Sequence, residues 1–189
     1  MKTSKKRALC SAATGVALLG GSFAIIPATA TSAAAAHCEP FTYYTVSKLS
    51  GASYKSRGPV RSKYNSSSHA ATLSIAETTS TTRASAWSGE ASVSLGWAIA
   101  TVNAKTSYTV TKTAAKGVTV TDTMVVDSHK RGYAQPMVEY HNFGIYKWRQ
   151  GGDCKQYPVN DMGILKGITS SEHWAECQTK SSDGCTPKP

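Results

Sequence analysis

The chain has 189 residues, 21 Lys and Arg against 11 Asp and Glu, a formal charge of +10 and an aromatic share of 8%. Residues 1–36 hold four of those cations (Lys2, Lys5, Lys6, Arg7) and no acid, so residues 37–189 carry +6. Those 153 residues are enough for one domain with its own core and too few for two ordinary ones.

Residues 1–36 read as a secretory signal peptide: a positive start, an apolar stretch from Ala8 to Ile26, and a small-residue exit from Pro27 to Ala36. Cleavage after Ala36 makes His37 the first mature residue, and Ala30 is a second cleavage point. A retained membrane anchor is the competing reading, opposed by the Gly and Ser that interrupt the stretch. No later segment reaches the roughly 18 apolar residues of a membrane-crossing helix. Cys10 leaves with the signal. Cys38, Cys154, Cys177 and Cys185 remain, an even number suited to an oxidising, extracellular compartment. Two disulfides are expected, with three pairings open. Cys177 with Cys185 and Cys38 with Cys154 is preferred, and Cys154 with Cys177 is the main rival.

Residues 37–64 form an extended basic, Tyr-rich segment, in which Tyr43, Tyr44, Tyr54 and Tyr64 interleave with Lys and Arg. Residues 65–177 are expected to be the β domain, and 178–189 a loose tail. Within the domain, Leu73 and Ile75 alternate with Thr72 and Ser74. Ala91, Val93, Leu95, Trp97 and Ile99 alternate with small residues, and Tyr108 and Val110 alternate with Thr. Val118, Val120, Met124 and Val126 follow the same period of two, which predicts strands with one apolar face. Breaks are expected at Asn65–Ser68, Trp87–Glu90, Val102–Lys105 and Lys116–Gly117. Further strands are expected at Tyr133–His141, Gly144–Arg149 and Lys155–Val159, with a turn at Gly151–Asp153. Ser170 or Ser171 would cap one helical turn through His173 and Ala175. The fold class is all-β: an elongated antiparallel sandwich or stalk of long Ser/Thr-rich strands, with a small disulfide-braced C-terminal head.

No catalytic or metal site is predicted, and no cofactor. The five mature histidines lie too far apart in sequence to share a metal from one element, and the acids are scattered. Glu172–His173 beside Cys177 is the nearest approach to a cluster. The basic stretch from Lys48 to Tyr64 would serve a nucleic-acid surface, but a modest charge on an exported chain reads as solubility charge, so no nucleic acid is expected. Tyr133, Tyr140, Tyr146 and Trp148 admit glycan contact, set against ordinary core roles.

The run SGEASVSLGWAIATVNAKTSYTVTKTAAKGVTVTDTMVV, residues 88–126, resembles the Ser/Thr-rich stalk of aerolysin-like toxins of the ETX/MTX2 type. Together with Gly132–Tyr133 and Gly144–Trp148 it is similar to small exported actinomycete β proteins. By size, export and β content the chain also resembles the adaptor subunits of umbrella-shaped antibacterial toxin particles. That kinship implies a strand added to a larger secreted partner. Phe41–Leu49 is the candidate docking strand, with Phe41, Tyr43, Tyr44, Val46 and Leu49 as partner-binding residues. The function expected is non-enzymatic docking by strand addition in an extracellular complex. The alternative is a β-pore former acting on membranes, whose inserting hairpin bears Val93, Leu95, Trp97, Ile99, Tyr108 and Val110 on one face.

Overall fold

The computed structural model describes residues 37–180 and 183–189; residues 1–36, where a signal peptide and its cleavage points are expected, lie outside the described residues. In chain order the strands are β1 (Phe41–Lys48), β2 (Ser53–Ser56), β3 (Arg61–Tyr64), β4 (Ala71–Thr78), β5 (Arg83–Ala84) and β6 (Ala86–Gly89). Helix α1 (Leu95–Lys105) follows, then β7 (Thr113–Ala114), β8 (Thr119–Val126), β9 (Lys130–Gln150) and β10 (Gln156–Lys180). Among the described residues the chain is all-β apart from this one helix, in keeping with its β-branched alternation.

The antiparallel hairpin of β9 and β10 is the spine, and β9 alone has a contour of about 70 Å at the usual rise per residue. Its turn is the expected Gly151–Asp153 segment, where Gly151 N–H donates to Lys155 O. β1, β2 and β3 pair in succession with the outer side of β9, and β6 pairs with the outer side of β10. The basic segment 37–64 is therefore part of the sheet and lies in the same compact unit as the rest of the described chain. Pro136 breaks no ladder. Its C=O accepts from Arg57 N–H, so its missing N–H faces the gap where β9's neighbour changes from β2 to β3.

All four irregularities in the β9–β10 ladder place the extra residue on β10. β9 keeps strict alternation and carries two cores on opposite faces. Ala134, Val138 and Tyr140 point to the face covered by β4, β8 and Ala114. Phe143 and Ile145 point to the other face, beneath Ala98, Val102 and Val110. Both preferred disulfides are formed: Cys38–Cys154 closes the tip of the spine, and Cys177–Cys185 its base.

Several expectations are corrected. The alternating stretches between Leu73 and Val126 are not all strands. Ala91–Ala100, expected as a strand, is a turn followed by the start of α1, and the break expected at Val102–Lys105 lies inside that helix. Trp87–Glu90, expected as a turn, contains most of β6. The predicted helical turn at Ser170–Ala175 is bulged strand, because an extra strand residue disturbs period two much as one helical turn would. The C-terminal third is the spine rather than a small head. The tail is tied down by its disulfide and by the pairing of Lys188 with Glu176.

Candidate functional site

β4 and β8 form a two-stranded ribbon in which Ala71 faces Val126 and Thr78 faces Thr119. Further along, Thr79 N–H donates to Val118 O, Arg83 faces Ala114, Ala84 faces Thr113, and Ser85 N–H donates to Lys112 O. Each step inward on one side is matched by one step inward on the other. The short β5–β7 pair is thus the same ladder resumed, with no residue gained or lost.

The interruption between the two parts is filled by Arg57. This side chain is 2% exposed, and its guanidinium donates to Ala115 O, to Ser171 O and weakly to Thr79 Oγ1. Its own C=O accepts from Ser80 and Thr81 N–H. Burial pushes its pKa below the ordinary value, countered by Glu172. Gly117, at φ 81°, supplies the left-handed residue that the distorted side requires.

Beyond Ser85 and Lys112 the ladder stops, and residues 86–111 take a different course. Ala86–Gly89 crosses to the edge of β10, where Gly89 faces Gly163 so closely that a Cβ on Gly163 would collide with the Gly89 backbone. Glu90 N–H donates to Met162 O, and Asn160 Nδ2 donates to the Glu90 carboxylate. Ser94 caps α1 by accepting from Trp97 N–H. The helix is only 11 residues, contains Gly96, Thr101 and Asn103, has no acid in its first turn, and fully buries only Ala98 and Val102. Propensity gives it little, so its stability comes from packing. Trp97 meets Tyr44 edge-on at 5.1 Å. Asn103 makes two hydrogen bonds to the backbone of Val110. Trp87 Nε1 is buried without a hydrogen-bond partner, a cost carried by this state.

The segment closes over a buried histidine. Tyr108 lies 5.0 Å from His141 and 5.3 Å from Phe143 between ring centroids, and its hydroxyl accepts from Lys48 Nζ. His141 Nδ1 is 3.0 Å from Thr169 Oγ1 and 3.2 Å from Glu139 Oε1. Burial, then Lys48, lower the His141 pKa, against the raising effect of Glu139. A hydroxyl, an imidazole and a carboxylate are therefore together, with His141 5% exposed beneath a Tyr ring and lining neither the cleft at Trp148 nor the one at Trp97. Glu172 is exposed and His173 stacks on Tyr54, so the pair noted in the sequence forms no cluster with Cys177, which is in its disulfide. Among the described residues no three His, Cys, Asp or Glu side chains are grouped to hold a metal.

The proposed docking strand is not free. Residues Phe41 to Lys48 pair in register with β9, and Leu49 N–H donates to Asn142 O. Tyr44 and Val46 pack into the core beneath α1, whereas Phe41 and Leu49 are 52% and 45% exposed and Tyr43 stays half-buried against Phe41. The proposed hairpin face is not a hairpin in this state. Leu95, Trp97 and Ile99 lie on α1, Val93 precedes it, and Tyr108 and Val110 lie in the irregular return; all six pack on or in one core. Sequence reasoning found the rhythm of this segment but missed the ladder leading into it, the Arg57 wedge and the glycine crossing. Paired Gly89 and Gly163 were the only available signal for the crossing.

Among the described residues no helix is long and apolar enough to cross a membrane, which leaves crossing by strands untouched. No family model, no curated protein and no solved structure matches the chain.

Proposed function

We propose that the protein is exported and acts on membranes as an aerolysin-like β-pore former. Residues 86–111 leave the sheet and zip into an amphipathic hairpin that prolongs the β4–β8 ribbon. The observation that carries this reading is the unbroken register from Ala71 and Val126 to Ser85 and Lys112, which aims straight into the segment. Continued inward, it sets Trp87 opposite Val110, Val93 opposite Ala104 and Leu95 opposite Val102, with the turn at Ala98–Ile99. Opposed residues share a face. One face then holds Trp87, Val93, Leu95, Trp97, Val102, Tyr108 and Val110 with Thr106 and small residues, the other holds Ser, Thr, Glu90, Gly96, Asn103, Lys105 and their small neighbours, and Ile99, expected on the apolar face, falls in the turn. That is the apolar-out, polar-in pattern of a barrel strand. Each arm supplies about a dozen residues where roughly 9–11 span a bilayer. Two strands leave open edges, so at least about four copies are needed to close a barrel of eight.

Leakage of dye from liposomes tests the proposal. Ser88→Cys with Ile164→Cys joins directly opposed residues of β6 and β10 and clasps the segment to the sheet. The double variant should lose leakage while each single variant, alkylated, keeps it. Leakage undiminished in the disulfide-locked protein would remove the hairpin reading.

A second reading, docking into an extracellular complex by strand addition, is favoured by one feature: β1 is the terminal strand of its sheet, with its outer side unpaired among the described residues. β1 then acts as the acceptor of a partner's strand, not as a strand donated to it. Recovery of a larger secreted protein from culture supernatant, with no liposome leakage, would favour this alternative.

A further inference from the structure

We infer that the face of the spine turned away from α1 is a carbohydrate-binding platform at the disulfide-closed tip, built by Tyr43, Tyr146, Trp148, Pro158 and Asp161. The site goes beyond the membrane reading and does not depend on it.

The pairing register sets Tyr43 against Trp148 and Thr45 against Tyr146 on β1 and β9, and Trp148 against Pro158 and Tyr146 against Asp161 on β10. These residues share one face, opposite the core formed by Tyr44, Val46 and Ile145. Sugar rings present flat C–H faces fringed by hydroxyls, so they select flat aromatic faces beside fixed polar atoms. Both are built here. Trp148 is pinned by a 2.9 Å hydrogen bond from Nε1 to Thr45 Oγ1. Tyr146 lies back along its strand over Gly144, where an added Cβ would stand 2.7 Å from the phenol oxygen and 3.0 Å from the ring. That glycine makes room for the ring to lie flat.

The polar side is equally specific. Two of the extra residues of β10 fall on either side of Asn160 and Asp161, and such bulges re-aim side chains. With Tyr146, Lys147, Trp148, Pro158 and Val159 they line a cleft of about 410 Å³, enough for one or two sugar residues. One oxygen of Asp161 accepts from Gly163 N–H at 3.0 Å, which fixes the carboxylate at the cleft. A carboxylate accepts at roughly four sites and suits neighbouring hydroxyls.

The test uses the protein from His37 onward and tetra- to hexasaccharides of the cello, chito and manno series, read by tryptophan fluorescence and calorimetry. At least one series should bind. Trp148→Ala should weaken it about tenfold or more, and Trp148→Phe should restore most of the loss. Asp161→Asn, on an exposed side chain, should weaken binding without changing the melting temperature. No binding by any series, or binding indifferent to both Trp148→Ala and Asp161→Asn, overturns the assignment. So does Trp148-dependent attachment to zwitterionic liposomes without sugar binding. Liposome leakage is a separate readout, so either proposal can fail alone.

Discussion

The β9–β10 spine and the segment 86–111 pack against each other, yet they are held by different means. The spine has continuous pairing along 21 and 25 residues, a disulfide at each end and two cores on opposite faces. The segment has one short helix, a four-residue strand on an edge, and side-chain bonds to its own backbone. Stability is distributed unevenly through a fold, and regions that must move come from the weak end. The difference teaches that a period-two sequence can rest as a helix when its partners lie across a sheet.

Attacks on the spine should have the largest effects. Cys38 and Cys154 close a loop of 116 residues, so replacing both with Ser should remove about 4–5 kcal/mol and lower the melting temperature by roughly 10–20 °C. Losing Cys177–Cys185, whose loop is 8 residues, should cost about 2–3 kcal/mol in the same calorimetric scan. Equal losses would show that loop closure is not what the disulfides contribute. Phe143→Ala empties the contact between the two regions and should cost about 3–5 kcal/mol in urea unfolding.

Acidity should separate the regions by sign. Burial keeps His141 neutral in the folded state, so its contribution is complete above the unfolded value of 6.5 and is lost as pH falls below it. Lys48 faces the same site and adds to the effect, while Glu139 opposes it. Protection factors against amide exchange at Val102, Thr106 and Val110 should fall between pH 7 and 5, and His141→Gln should flatten the response. At the β8–β10 contact, burial raises Asp122 and Glu176, and the charge of Asp122 raises Glu176 further. Their charged forms weigh on the fold at neutral pH, so this contact should tighten as pH falls toward 4.5 and 3.8. Parallel behaviour of the two contacts would collapse the distinction. Smallest of all, Ser94→Ala should cost about 1 kcal/mol of helix, seen as faster local exchange and earlier leakage with the melting temperature nearly unchanged.

The β4–β8 ribbon and β9 were legible, β10 only at its start. Alternation of Leu73 and Ile75 and of Val120 and Met124 is the imprint of one buried face, and Tyr133–His141 and Gly144–Arg149 were readable as strand although they form one continuous element. The number of cysteines implied two disulfides, and of the three pairings left open the preferred one is formed. The helix was illegible because Ala91–Ala100 alternates as cleanly as any strand; what overrides it is the space under Tyr44 and above Phe143, a tertiary fact. The candidate site was half legible. Val93, Leu95 and Trp97 were identifiable as one face, but only paired backbone atoms reveal that β4, β5, β7 and β8 share one register. Tyr146 and Trp148 were visible as aromatic residues, whereas their separation from buried Tyr140 depends on how far along their shared face the covering elements reach.

The crossing of Gly89 over Gly163 has a consequence for inheritance. Where two backbones meet without side chains, the smallest coding change is also the most disruptive wedge: one methyl at position 89 would strike both Met162 O and the Trp87 indole. A lineage carrying alanine there would inherit a strand pried from the edge of its sheet, from a change of one methyl group.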